Sequence, residues 1–252
     1  EVAPFLPSDF DKEAYNLEKF CEDHAGSGRF HDVAYGQYLV ADAIQNQIAP
    51  SQNVVTEGDD AVIHVRLNDA FQKIIFKSQR GLFPHVAYTT LLKRAEEEKG
   101  EIRSISIVTD SFDTSKVRTI DREFTDLSRI VADDLRRQLK VDFPNAEVSI
   151  DNDNNETTVT SYTRLAKAKK IAVCGASTFC PFPVMSVEDD VLGFMYDSKY
   201  LNRFYPQYLA EHKDNMHLWD APLLGSNEIS ESTIDQVLEF LRDKSAAGIS
   251  MM

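Results

Sequence analysis

Residues 61–69 read AVIHVRLND. Five residues rich in Val and Ile, entered from the turn-like TEGDD at 56–60 and left through a charged, amide-bearing segment, have the form of a buried β-strand running into a polar loop. Three further runs share that form: ISIV at 105–108, AEVSI at 146–150 and IAVCG at 171–175. Longer segments of helical period separate them. Residues 86–98 follow Pro84 as a helix. Residues 121–139 carry Phe124, Leu127, Ile130, Val131, Leu135 and Leu139 on one face, and 156–169 place Val159, Tyr162, Leu165 and Ala166 inward. Strand, helix, strand, repeated three times, predicts right-handed crossovers and a parallel sheet. The expected fold class is therefore α/β, a Rossmann-like parallel sheet with flanking helices.

Outward from this centre the pattern changes. Apolar positions at three- and four-residue steps predict a helix from Phe30 to Ile48, ended by Pro50, and a shorter one around Tyr15 to Cys21 precedes it across the breaker-rich AGSG at 25–28. This divides the chain into a helical N-terminal region, 1–56, and a Rossmann-like domain, 57–252. Toward the other end, VLGFMY at 191–196 reads as one more strand. Ile234, Val237, Leu238 and Leu241 predict a closing helix over 231–243, and the rest of 181–229 has no clear period.

Composition narrows the function. An excess of acidic over basic residues, 41 against 27, gives a net charge of −14 and argues against an extended phosphate-binding surface for nucleic acid. Any anion must be held locally. No apolar run approaches the roughly 20 residues of a membrane span, and the start EVAPFLPSDF lacks the basic and apolar regions of a signal peptide. Because residue 1 is Glu, a leader, an anchor or a further N-terminal domain is expected to be missing or processed. Compartment is left open. Cys21, Cys174 and Cys180 have no CxxC spacing and cannot pair completely, which predicts buried thiols rather than a disulfide framework or a zinc site.

In an open parallel sheet the carboxyl ends of the strands share one crevice, and four polar segments fall at those ends. They are His64, Arg66, Asn68 and Asp69; Thr109, Asp110 and Ser111; Asp151 to Glu156; and Ser177 with Thr178. The planar guanidinium of Arg66 suits a diphosphate, which an acidic protein must neutralise somewhere. The same spacing also permits a structural ion pair with Asp69 or Asp110. His64 alternates with Arg66 and is either a hydrogen-bonded core residue or a second crevice group. Ser177 and Thr178, if they open a helical turn, would meet an anion at its positive end or simply cap it.

DNDNNE at 151–156 starts like a calcium loop but has Glu156 where Gly is needed and Tyr162 where a bidentate Glu is needed. Asp151 and Asp153 also form a D-x-D, better read as a solvated turn than as a metal site. Asn155, Glu156 and Thr157 make a glycosylation sequon, usable only in a secretory compartment, where a glycan would crowd the crevice. No G-x-S-x-G, phosphate-loop, H-E-x-x-H or G-x-G-x-x-G motif is present.

These residues, in this order, resemble the superfamily of fucosyltransferases that use GDP-fucose. The parts that match are HVRLND with His64, Arg66 and Asp69; IVTD with Thr109 and Asp110; and YTRLAKAKKIAVCGASTF with Ser177, Thr178 and Phe179. The similarity spans about residues 60–185. It implies the donor-binding half of a GT-B-like enzyme that holds GDP-fucose without a metal or other cofactor. Arg66 would neutralise the β-phosphate as the sugar leaves. Ser177, Thr178 and the backbone near Phe179 would hold the other phosphate oxygens, Asp110 and the loop after Ile150 would face ribose or base, and Asp69 is the nearest candidate base. The chain departs from its relatives at Leu67 and Asn68, where many carry a second Arg or a Gly, and in the short region ahead of the motif.

The leading expectation is transfer of fucose, or a related sugar, from a GDP donor to a glycan or protein hydroxyl with inversion. The partners are then a nucleotide-sugar donor and that acceptor, with no nucleic acid, and the location is the Golgi or secretory lumen. The alternative is a catalytically inactive glycosyltransferase-fold protein serving as a structural or assembly subunit of a larger complex.

Overall fold

The computed structural model describes residues 58–71, 81–109, 111–112, 123–151, 158–177, 180–197, 214–246 and 248–251. The helices expected at 15–21 and 30–48 lie outside the described residues. The strands are β1 (Ala61–Val65), β2 (Gly81–Leu82), β3 (Ser104–Thr109), β4 (Glu147–Asp151), β5 (Ile171–Cys174), β6 (Leu192–Tyr196), β7 (Met216–Asp220), β8 (Leu224–Gly225) and β9 (Ser250–Met251). The helices are α1 (His85–Lys99), α2 (Thr125–Asp142), α3 (Thr158–Ala166), α4 (Pro181–Met185), α5 (Ser226–Glu231) and α6 (Ile234–Arg242).

Seven strands form one sheet in the order β4-β3-β1-β5-β6-β7-β9. The first six are mutually parallel, and only the two-residue β9 runs antiparallel, beside β7. Counted among the parallel strands alone, the order is 3-2-1-4-5-6. This is the Rossmann-like order.

The local sequence explains the elements. β1 and β5 are buried along their whole length, as strands covered on both faces must be, and so they read as near-continuous apolar runs. In α2, Ser128, Val131, Ala132, Leu135 and Leu139 face inward, at three- and four-residue steps, while Arg129, Asp133 and Arg136 face out. α1 stops at Gly100, whose φ of 82° favours glycine and whose N–H closes back on Glu96. The expected helix over 231–243 is α6, Ile234–Arg242, and a separate short helix, α5, precedes it. Ser232 is extended and Thr233 opens α6 with a capping box, its hydroxyl accepting from the Gln236 N–H while the Gln236 side chain accepts from the Thr233 N–H.

Two cores sandwich the sheet. Ile63, Val65, Ile105, Ile107 and Val173 pack toward α1, α2 and α6; Val62, Val108, Ala172 and Cys174 pack toward α3 and α4. Among the described residues no helix is long and apolar enough to cross a membrane.

Candidate functional site

In open α/β sheets ligands bind beyond the carboxyl ends of the strands where strand order reverses, and here that reversal is at β1. β1 sits between β3 and β5, so the chain leaves it toward one side of the sheet and returns on the other by way of β5. At such a reversal the crossovers diverge and leave an opening beyond the carboxyl ends of the two strands. The last paired residues there are His64 with Cys174 on one flank of β1 and Val65 with Thr109 on the other. One step beyond are Arg66 and Gly175.

The structure brings part of the expected set together. Arg66 follows β1 directly and is half-buried. Ser177, 7% exposed, lies in the turn after β5, and Thr109, 9% exposed, ends β3. The Thr109 hydroxyl is buried with no hydrogen-bond partner among the described residues. His64 is buried in register with Val108 and Cys174, on the α3–α4 face. Because β1 ends at Val65, the alternation that would align His64 with Arg66 is not carried by a strand. His64, Arg66 and Ser177 each already interact with neighbouring residues. Asp69 lies in the 3-10 turn Asn68–Phe71. Asp110, Thr178, Phe179, Asp153 and the sequon at 155–157 lie outside the described residues.

Three expectations are corrected. The next helix begins at Pro181 and is five residues long, so Ser177 opens no helical turn; its N–H instead donates to the Gly175 carbonyl at 2.7 Å. Pro181 takes the first helical position, where its missing N–H is not needed, and so marks where that helix starts. Cys174 and Cys180 are not thiols but a disulfide, with both residues buried in the α3–α4 core. Finally, Asp151 is buried at the end of β4 and ion-paired with Arg164, which also holds Asp59 at 3.1 Å. That half of the D-x-D is committed to packing α3 against the sheet. Among the described residues, no group of three or more His, Cys, Asp or Glu side chains is placed to hold a metal.

The departure at Leu67 and Asn68 has a structural reason. Leu67 is buried in the larger core. Asn68 is buried too: its Oδ1 accepts from Ser128 Oγ of α2 at 2.7 Å, and its Nδ2 donates to the Ser111 carbonyl at 3.4 Å. The turn after β1 is thereby pinned to the loop after β3. No non-glycine residue among those described has positive φ, so this turn needs no glycine.

Sequence reasoning passed over the buried aromatic cluster that packs beside the end of β5 on the β6–β7 side. Gly175 lies against it: a Cβ there would lie 3.2 Å from the His64 carbonyl oxygen and 3.3 Å from the Tyr88 hydroxyl. Phe83 packs its ring 4.7 Å from both Tyr196 and Trp219, and Tyr88 is edge-on to Trp219. Burial pushes the Tyr88 hydroxyl well above the ordinary tyrosine range. Tyr196, which ends β6, is pushed up to about 12 by burial and by the carboxylates of Asp220 and Asp197. Asp197 is itself raised, by burial and then by Asp220. β2 pairs with β8, Gly81 opposite Gly225 and Leu82 opposite Leu224, and so clips the loop after β1 to the loop after β7. The only available sequence signal for this packing was the cluster of aromatics in otherwise patternless segments.

Comparison of the chain with protein-family models, with curated proteins and with solved structures returned no match. The fold and its strand-end chemistry therefore stand on their own geometry.

Proposed function

We propose that this chain is a nucleotide-sugar-binding glycosyltransferase domain that transfers fucose, or a closely related sugar, from a GDP donor to a glycan or protein hydroxyl with inversion. One observation carries the reading. β1 and β5 are hydrogen-bonded neighbours at the reversal of strand order, so Arg66 and the Gly175–Ser177 turn leave the sheet side by side. A diphosphate bridging them would meet a guanidinium from one strand and a hydroxyl from the other, with the Thr109 hydroxyl beside them.

In this reading Arg66 acts where negative charge grows as the sugar–phosphate bond breaks, which is where a fixed cation contributes most to rate. The acceptor oxygen attacks the opposite face of the sugar carbon and gives its proton to a carboxylate, with Asp69 the nearest candidate. Thr178, Phe179 and Asp110 complete the donor set by resemblance to the fucosyltransferases. The second reading, an inactive glycosyltransferase-fold subunit, draws on Asn68, whose amide fixes the motif's turn to α2 and the loop after β3.

Calorimetry with GDP, GDP-fucose and UDP-sugars, with and without manganese, separates the two. GDP binding without metal, weakened at least tenfold in Arg66→Ala by loss of a charge-assisted phosphate contact, is expected. No nucleotide binding by the full-length protein supports the scaffold, and manganese-dependent UDP binding refutes the GDP assignment.

A further inference from the structure

We propose that the Cys174–Cys180 disulfide is a positioning element for the donor phosphates, holding the Gly175–Ser177 turn in its ligand-ready shape; this rests on the nucleotide-sugar reading above. The bond joins the last residue of β5 to the residue just before α4, so it closes the loop in which the turn lies. Both ends are anchored in the same core, among Val62, Ala172, Val184 and Met185. The Cys174 sulfur lies 3.9 Å from the Ser177 carbonyl oxygen, directly against the turn.

The need for such a clamp follows from the local sequence. A typical Rossmann phosphate loop runs into a long helix whose first turn orders it. Here the following helix has five residues, two of them proline, and cannot do so. Gly175 adds backbone freedom at the root of the loop, where Tyr88 and the His64 carbonyl leave little room for a side chain. The Trp219 indole fixes the Cys174 carbonyl from the β7 side at 3.2 Å, and the disulfide fixes the far end. Cys174 and Cys180 touch no ligand in this proposal. They act through Ser177 and the turn's backbone.

The test compares the full chain with two double variants, Cys174→Ala/Cys180→Ala and Cys174→Ser/Cys180→Ser, by GDP calorimetry at a temperature where circular dichroism shows each fully folded. Ordering even one residue is worth on the order of tenfold in affinity, so the dissociation constant is expected to rise by roughly that factor. Amide exchange at Gly175–Ser177 should quicken while that of Ile63 and Ile107 does not. Unchanged GDP affinity in a folded variant overturns the proposal, because losing a purely structural bond lowers melting temperature without touching affinity. If the wild type binds no GDP, the nucleotide-sugar reading itself fails, which is a different result. Peptide mapping of the wild type under non-reducing conditions decides the matter should neither variant fold: absence of the Cys174–Cys180 linkage overturns the proposal, and its presence with slow exchange at Gly175–Ser177 supports it.

Discussion

The indole N–H of Trp219 donates to the backbone carbonyl of Cys174 at 3.2 Å, reaching over β6 to satisfy the last oxygen of β5. Both groups are buried. Replacing Trp219 with Phe keeps an aromatic ring against Phe83 and Tyr196 but leaves that carbonyl without its donor, at a cost of about 1–3 kcal/mol. Urea unfolding followed by circular dichroism measures it, and a change below about 0.5 kcal/mol would show the bond to be unimportant. Since this is the sole tryptophan, its fluorescence in the wild type should also change when GDP enters the crevice.

Asp134 is the most heavily engaged carboxylate described. Burial alone would raise its pKa, but hydrogen bonds from His85, Arg242 and Arg137 outweigh this and hold it well below its ordinary value of 3.8. A depressed value in the folded state means stability that is fully present above about pH 4 and is lost as pH falls below it. Asp134→Ala should cost on the order of 3 kcal/mol at neutral pH, because a buried ion-pair centre is removed. It should also flatten the acid limb of a stability–pH curve. An unchanged acid limb would contradict the role assigned to this carboxylate.

Asp197 has the opposite sign. Its pKa is raised by burial and by Asp220, so ionising it destabilises the fold, a penalty that sets in as pH rises through the ordinary carboxylate range and then persists. Asp197→Asn is expected to melt above the wild type at neutral pH and to lose that advantage below about pH 4. Thermal melts at pH 7 and pH 3.5 are the check. A variant that melts lower at neutral pH would mean that the carboxylate has a favourable partner.

At Gly175 the added methyl of Gly175→Ala would press on the His64 carbonyl and the Tyr88 hydroxyl. Overpacking of this kind costs about 1–3 kcal/mol. A larger relative loss of GDP affinity than of stability is expected, since the displaced backbone is the turn beside Arg66. Wild-type affinity in the Ala variant would place the ligand elsewhere.

The residues explain which parts of this architecture could be read in advance. β1, β3 and β5 were legible because their buried segments are rich in Val and Ile, β4 and β6 because AEVSI and VLGFMY are short, largely apolar runs, and α1, α2 and α3 because their inward residues repeat at helical spacing. β7 was not, since MHLWD carries a His, an Asp and a Met and owes its place to Trp219 packing rather than to propensity. Two prolines hid α4, and β2, β8 and β9 are too short to have a period. The disulfide escaped because an odd cysteine count suggests thiols, and only the folded loop brings residues 174 and 180 within bonding distance. Arg66, Thr109 and Ser177 could be singled out by their positions at strand ends. Asn68, Gly175 and Trp219 act through contacts with residues distant in the chain, and no local pattern announces those.

The central place of β1 bears on how the chain must assemble. Ala61 pairs with Ile105 on one side and with Ile171 on the other, so β1, the earliest strand among the described residues, gains its second neighbour only when synthesis has passed β5. Until then a bare, apolar edge of the nascent sheet stays open to any other chain, and polypeptides truncated before residue 171 should aggregate where the whole protein folds.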